Sequence, residues 1–212
     1  MPKTDRLEIR PIELADVPAL LAIISDSRRE YGIVDRGVEL LEPADRALFA
    51  TYQRQRSLYF VALSGGEVVG GAGVAPLSGA DPLTCELQRM YLRADARGRG
   101  IGHALLQQCL AAARQFLYVR CYLETISQMH GALEFYGRHG FRELEAPLGR
   151  TGHGHNDRWM MRGLRASTRE IVCGGAGYGG SSGQALGSGE GVLKVRTCRP
   201  ISTDQDAEND RW

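Results

Sequence analysis

The stretch from Thr84 to Phe141 constrains the fold more than any other part of the chain, and its centre is Arg97-Gly98-Arg99-Gly100-Ile101-Gly102. Before it, Thr84 to Leu92 alternates in the manner of a strand. After it, Leu105, Leu106, Cys109, Leu110, Ala113 and Phe116 recur at helical spacing over Ile101 to Leu117. Strand, glycine-rich turn and helix in that order aim the turn's backbone N–H groups and the helix N-terminus at one point, an arrangement that binds anions. Gly100 and Gly102 lack a Cβ, so an anion can approach the backbone, and Arg97 and Arg99 can add charge-assisted hydrogen bonds. A dinucleotide fingerprint would need a glycine at position 103, which is His, and a Walker loop would need Gly-Lys-Ser/Thr, which is absent. Read alone, the turn is either an anion site or a strand–helix turn that binds nothing.

The rest of the chain supplies elements around this centre. Leu7 to Pro11 reads as a strand. Asp16-Val17-Pro18 opens a helix, with Asp16 as its N-cap and Gly32 as its stop. A second helical region covers 33–56, its better half starting at Pro43-Ala44-Asp45. Leu58 to Leu63 and Val68 to Ala75 form a hairpin across Ser64-Gly65-Gly66. Glycines 70, 71 and 73 inside the second strand point to a bulge or a close backbone approach. A strand over Tyr118 to Glu124 places Val119, Cys121 and Leu123 on one face, and a helix over Gln128 to His139 ends at Gly140. Short strands over Phe141 to Leu144 and Arg158 to Leu164 close the domain. The order β α α β β β α β α β β predicts an α/β fold with a mixed sheet. From about Ala166 the Gly/Ser-rich composition predicts a disordered tail, so the expected organisation is a domain over 1–165 and a tail over 166–212. Gly175 to Gly180 matches G-x-G-x-x-G, but no amphipathic helix follows it, and no cofactor is expected there.

Composition narrows the class. A net charge of +1 gives no reason to expect nucleic acid. No apolar run approaches the roughly 18 residues of a membrane span, and the N-terminus has no signal-peptide core. Five cysteines, an odd number with no CxxC pair, fit a reducing cytoplasm.

Residues 84–141 resemble the core of the GNAT superfamily of acyl-CoA-dependent N-acetyltransferases. The resemblance rests on Arg97-x-x-Gly100-x-Gly102, the strand before it, and Tyr136-Gly137-Arg138-His139-Gly140-Phe141 after it. It implies a mostly antiparallel central sheet flanked by helices, with acetyl-CoA as co-substrate and no metal. Backbone amides of Arg97, Gly98, Arg99, Gly100, Ile101 and Gly102 would cradle the pyrophosphate. The backbone of Met90, Tyr91 and Leu92 would run along the pantetheine arm as an extra strand, with the Met90 N–H polarising the acetyl carbonyl. Glu86 matches a catalytic glutamate, and Tyr136 the tyrosine that protonates the leaving thiolate. An asparagine that many members use on pantetheine is Met129 here, with Ser127 as a substitute.

From the residues alone, Glu86 is also readable as a solvated strand residue and Tyr136 as a core tyrosine. Alternation puts Glu86, Gln88 and Met90 on one face. Tyr31, Arg89, Glu124 and His155 are the candidates for the acceptor side; His153, His155 and Asp157 have metal-like spacing, though a loop over the acceptor pocket suits them better. The expected activity is direct transfer of an acetyl group to a primary amine of a small molecule or peptide. The alternative is a non-catalytic acyl-CoA sensor or interaction module. A homodimer is among the states such a fold takes.

Overall fold

The computed structural model describes residues 6–33, 44–152, 154 and 156–164. Expectations for 34–43, for His153 and His155, and for the tail from 165 onward fall outside them. The described elements are β1 (Leu7–Pro11), α1 (Val17–Glu30), α2 (Ala44–Tyr52), β2 (Leu58–Ser64), β3 (Glu67–Pro76), β4 (Thr84–Leu92), α3 (Ile101–Gln115), β5 (Arg120–Thr125), α4 (His130–Arg138), β6 (Arg142–Glu143) and β7 (Arg158–Gly163). They form a seven-stranded sheet in the order β1-β2-β3-β4-β5-β7-β6. All neighbours are antiparallel except β4 and β5.

Alternation along β2 feeds two cores. Phe60 and Ala62 pack with Leu105, Leu106, Leu110 and Phe135 of α3 and α4 on one face. Tyr59, Val61 and Leu63 pack with Leu20, Ile24, Leu48 and Tyr52 of α1 and α2 on the other. A strand buried on both faces reads as the unbroken apolar run Leu58 to Leu63. The β2–β3 hairpin turns on Gly65 and Gly66, both at positive φ (58° and 83°), as a two-residue primed turn requires.

Asp16 differs from its expected role. Its side chain caps no N–H of α1; it accepts a fork from Arg10 (2.7 and 2.8 Å) and the Glu13 N–H at 2.7 Å in the 3-10 turn that precedes the helix. α1 runs to Glu30, before Gly32 at φ 69°. Val119 leaves the expected face and is 45% exposed, because β5 begins one residue after it.

The glycines of β3 make both the bulge and the close approach. Tyr59 pairs with Gly73 across the hairpin, and its ring packs on that of Tyr52 at 4.9 Å. A Cβ at Gly73 would stand 2.5 Å from the Tyr59 ring and 2.7 Å from the Tyr52 ring. Both rings are buried and bonded through their hydroxyls, so they cannot retreat. Gly73→Ala is expected to lose about 1–3 kcal/mol of stability in urea denaturation. A loss near zero would show that the rings are not fixed.

Candidate active site

β4 and β5 start side by side and then part. Their ladder joins Thr84 to Arg120, Cys85 to Cys121 and Glu86 to Tyr122, and stops there, while β4 continues to Leu92 and β5 to Thr125. The cause lies on the other edge of β4. Gly73 pairs with Gln88 and Gly71 with Tyr91, so Arg89 and Met90 stand opposite Ala72 alone. Arg89 takes φ 50°, and the Tyr59 hydroxyl holds its carbonyl at 2.7 Å. Such a bulge bends its strand, and here the bend opens a gap between two backbones. An extended amide chain fits a gap of that kind as an added strand would.

The bulge also reverses the alternation. Cys85 and Leu87 face the α3/α4 core, and so do Met90 and Leu92. Glu86 and Met90 therefore lie on opposite faces, contrary to the simple two-residue period, because the extra residue shifts the parity.

Glu86 is 4% exposed on the α1/α2 side of β4. Gln88 donates to Glu86 Oε2 at 2.6 Å, and Tyr52 donates to Gln88 Oε1 at 3.0 Å, which fixes the amide's orientation. Burial pushes the Glu86 carboxyl up to about 7; the Gln88 bond and the Arg89 charge oppose this, and the Glu124 charge reinforces it. Glu86 therefore changes protonation near neutrality. The roles of Gln88 and Tyr52 were not foreseen, although Gln88 shares a strand face with Glu86.

Glu124 accepts from Tyr122 at 2.8 Å and Thr151 at 2.9 Å on Oε1, and from Asn156 at 3.1 Å on Oε2. With the Leu148 N–H on the Tyr122 hydroxyl (3.2 Å), these bonds lay the loop between β6 and β7 across β5. Arg89 is exposed on the bulge. Tyr31 closes α1 beside Arg97, and no bond among the described residues joins it to Glu86, Arg89 or Glu124. His155 lies outside the described residues, so its place is not given.

At the far end of the gap, Gly98 (φ 71°) and Gly100 (φ 76°) fold the turn that leads into α3. None of the amides of Gly98, Gly100, Ile101, Gly102 and His103 donates a hydrogen bond among the described residues. No side chain caps α3 and its first turn holds no acid, so the positive end of the helix is uncompensated. Donors left unbonded at a positive helix end favour an anion. Arg97, expected in the cradle, offers it neither amide nor side chain: its N–H donates to the Ala94 carbonyl at 3.3 Å, and its guanidinium forks onto Glu30 at 2.7 and 2.8 Å and donates to the Leu92 carbonyl at 3.2 Å, tying the turn to α1. That pairing lowers the Glu30 carboxyl below its ordinary range. The His103 ring points to α4. His139 Nδ1 lies 2.7 Å from the Phe135 carbonyl, so it carries the proton, and its Nε2 accepts from His103 Nδ1 at 2.8 Å.

Tyr136 lies in the core on the α3/α4 side of the sheet. It is 7% exposed, packed edge-on against Phe135 and Phe141, and burial pushes its phenol up. Among the described residues its hydroxyl has no hydrogen-bond partner. Ser127, the substitute considered for the missing asparagine, has its amide and hydroxyl on Asp157 at 2.7 Å each.

The sequence profile of the Acetyltransferase (GNAT) family matches residues 20–141. The chain is 36% identical over 157 residues, 74% of its length, to an uncharacterized N-acetyltransferase, YjgM, of Escherichia coli K12, of which the match covers 94%. A GNAT-family acetyltransferase of Staphylococcus aureus Mu50 superposes with a TM-score of 0.67 at 22% identity, over 76% of this chain and 100% of that one. The PaiA N-acetyltransferase of Thermoplasma acidophilum, solved in complex with coenzyme A, superposes with a TM-score of 0.58 at 19% identity, over 74% and 99% of the two chains. The chain belongs to the GNAT acetyltransferase family and is an acyltransferase.

Proposed function

We propose that this protein transfers the acetyl group of acetyl-CoA to a primary amine of a small molecule or peptide by direct attack. The observation that carries this reading is the β4/β5 gap, with unbonded amides at one end and a buried carboxyl of pKa about 7 beside it. The pyrophosphate sits on the amides of residues 98–102, and the pantetheine arm runs along Met90, Tyr91 and Leu92. The thioester then lies between Glu86 on one face and Tyr136 on the other.

Glu86, directly or through one water, takes the proton of the amine, whose nitrogen attacks the thioester carbon. The Met90 N–H, in the bulge, donates to the developing oxyanion. As the C–S bond breaks, the departing thiolate takes the Tyr136 proton; burial keeps that phenol protonated at neutral pH. Holding donor and acceptor in one gap supplies much of the rate without a covalent enzyme intermediate. Arg89 and Glu124 border the acceptor side. Residues 1–165 form the catalytic unit in this reading, and three buried free thiols, Cys85, Cys109 and Cys121, suit a cytoplasmic setting.

The kinetic test is a pH–rate profile of thiol release with a panel of amines, amino acids, polyamines and peptides. Below the Glu86 pKa the base is protonated, so kcat/KM falls on the acid side with an apparent pKa of about 7. Glu86→Gln is expected to remove this limb and lower kcat/KM by about 10²–10⁴-fold. Tyr136→Phe should lower kcat while acetyl-CoA affinity stays unchanged. Full activity in both variants would contradict these roles, and no thiol release with any acceptor would favour an acyl-CoA sensor.

Deleting 166–212 tests the domain assignment. Acetyl-CoA should raise the melting temperature of the shortened and full chains equally. A large loss of affinity would assign the tail to the site.

A further inference from the structure

On the α3 side of the β6/β7 edge lies a cavity of about 710 Å³ lined by Arg114, Arg142 and Arg162 together with Gly140, Leu144 and Met161 among others. Three guanidiniums share it with a single carboxylate, Glu143, which is exposed and bonded to none of them. Among the described residues the side chains of Arg114 and Arg142 have no ion pair or hydrogen bond. The Nε of Arg114 is buried without a partner. Arg162 reaches one acceptor, the His139 carbonyl at 2.6 Å. Burial and the neighbouring charge of Arg114 push the Arg162 guanidinium down from its ordinary value.

Clustered cations that are partly desolvated and mutually repelling are unfavourable unless something compensates them. The local backbone compensates in part. Arg114 stands in the last turn of α3 and Arg162 at the C-terminal end of α4, where helix dipoles favour cations. Neither end offers a guanidinium the paired, coplanar acceptors that its fork suits. At Gly140, beside Arg162, an added Cβ would meet only the Arg162 Nε, at 3.8 Å, so the wall is low there.

We propose that this cavity is a second anion site, separate from the glycine turn, that takes a small oxyanion with two or more negative charges, carried by phosphate or carboxylate groups. Each oxygen pair would accept from one guanidinium fork, and the buried Arg114 Nε would gain the acceptor it lacks. The inference does not rest on the catalytic reading, because it uses none of the residues placed in the β4/β5 gap.

Calorimetric titration of the full chain already saturated with CoA tests it, with inorganic pyrophosphate and citrate as probes and chloride as the control. CoA occupies the glycine turn, so any remaining oxyanion binding reports another site. The expected result is one equivalent of pyrophosphate or citrate per chain, and which of the two binds more tightly identifies the preferred group. Arg142→Gln, at an exposed position, should weaken that binding about fivefold or more, with CoA affinity unchanged. Arg114→Lys, which keeps the charge and removes the Nε donor, should weaken it as well. No oxyanion binding to the CoA-saturated chain, or binding that neither substitution alters, would overturn the proposal.

Discussion

The bulge at Arg89 and Met90 is the constraint on which the rest of the site depends. One extra residue in β4 opposite β3 bends the strand away from β5. It also divides the face assignments, leaving Glu86 toward α1 and α2 and turning Met90 toward α3 and α4. Without it the parallel pair could continue its ladder and no gap would form. The surrounding sequence accommodates the irregularity. Glycines in β3 make room for the Tyr59 and Tyr52 rings, and the Tyr59 hydroxyl ties down the carbonyl of the bulged residue. Aromatic residues packed on one face of the sheet thus help hold open a gap between two of its central strands.

Two electrostatic conditions follow from this geometry. At the turn, backbone donors are left without acceptors among the described residues and the positive end of α3 without a side-chain cap, which favours an anion. At Glu86, removal from water raises the carboxyl into the neutral range, while Gln88 and Arg89 keep it from rising further. Arg97 ties the turn to the neighbouring helix. Its guanidinium links the turn to Glu30 of α1, so the helix that covers one face of the sheet also steadies the turn.

The sequence was most readable where period and punctuation agreed. β4 fell on Thr84 to Leu92, and Gly100 and Ile101 marked the start of α3, because alternation, glycines and a 3.6-residue repeat meet there. The glycines of β3 announced an irregularity without saying in which strand the extra residue would sit. That is why Glu86 and Met90 were expected on one face: alternation has no means of registering a bulge set by long-range pairing. Asp16 and Arg97 followed the same pattern. Each was read from its nearest neighbours in sequence, and each is claimed by a residue that only the fold brings close, Arg10 and Glu30. The pinning of Glu124 by Thr151 and Asn156 was beyond reach for a similar reason, since it depends on how a turn-rich loop lies across β5.

Hydrogen–deuterium exchange with and without acetyl-CoA tests the central claim most directly, because it reads the backbone amides to which the cofactor role is assigned. The account predicts slowed exchange on binding at two segments, the β4 amides from Leu87 to Leu92 and the turn from Gly98 to His103, with β1 and β2 unchanged. Protection confined to other segments, or none at saturating acetyl-CoA, would contradict the claim that the β4/β5 gap and the glycine turn form one acyl-CoA site.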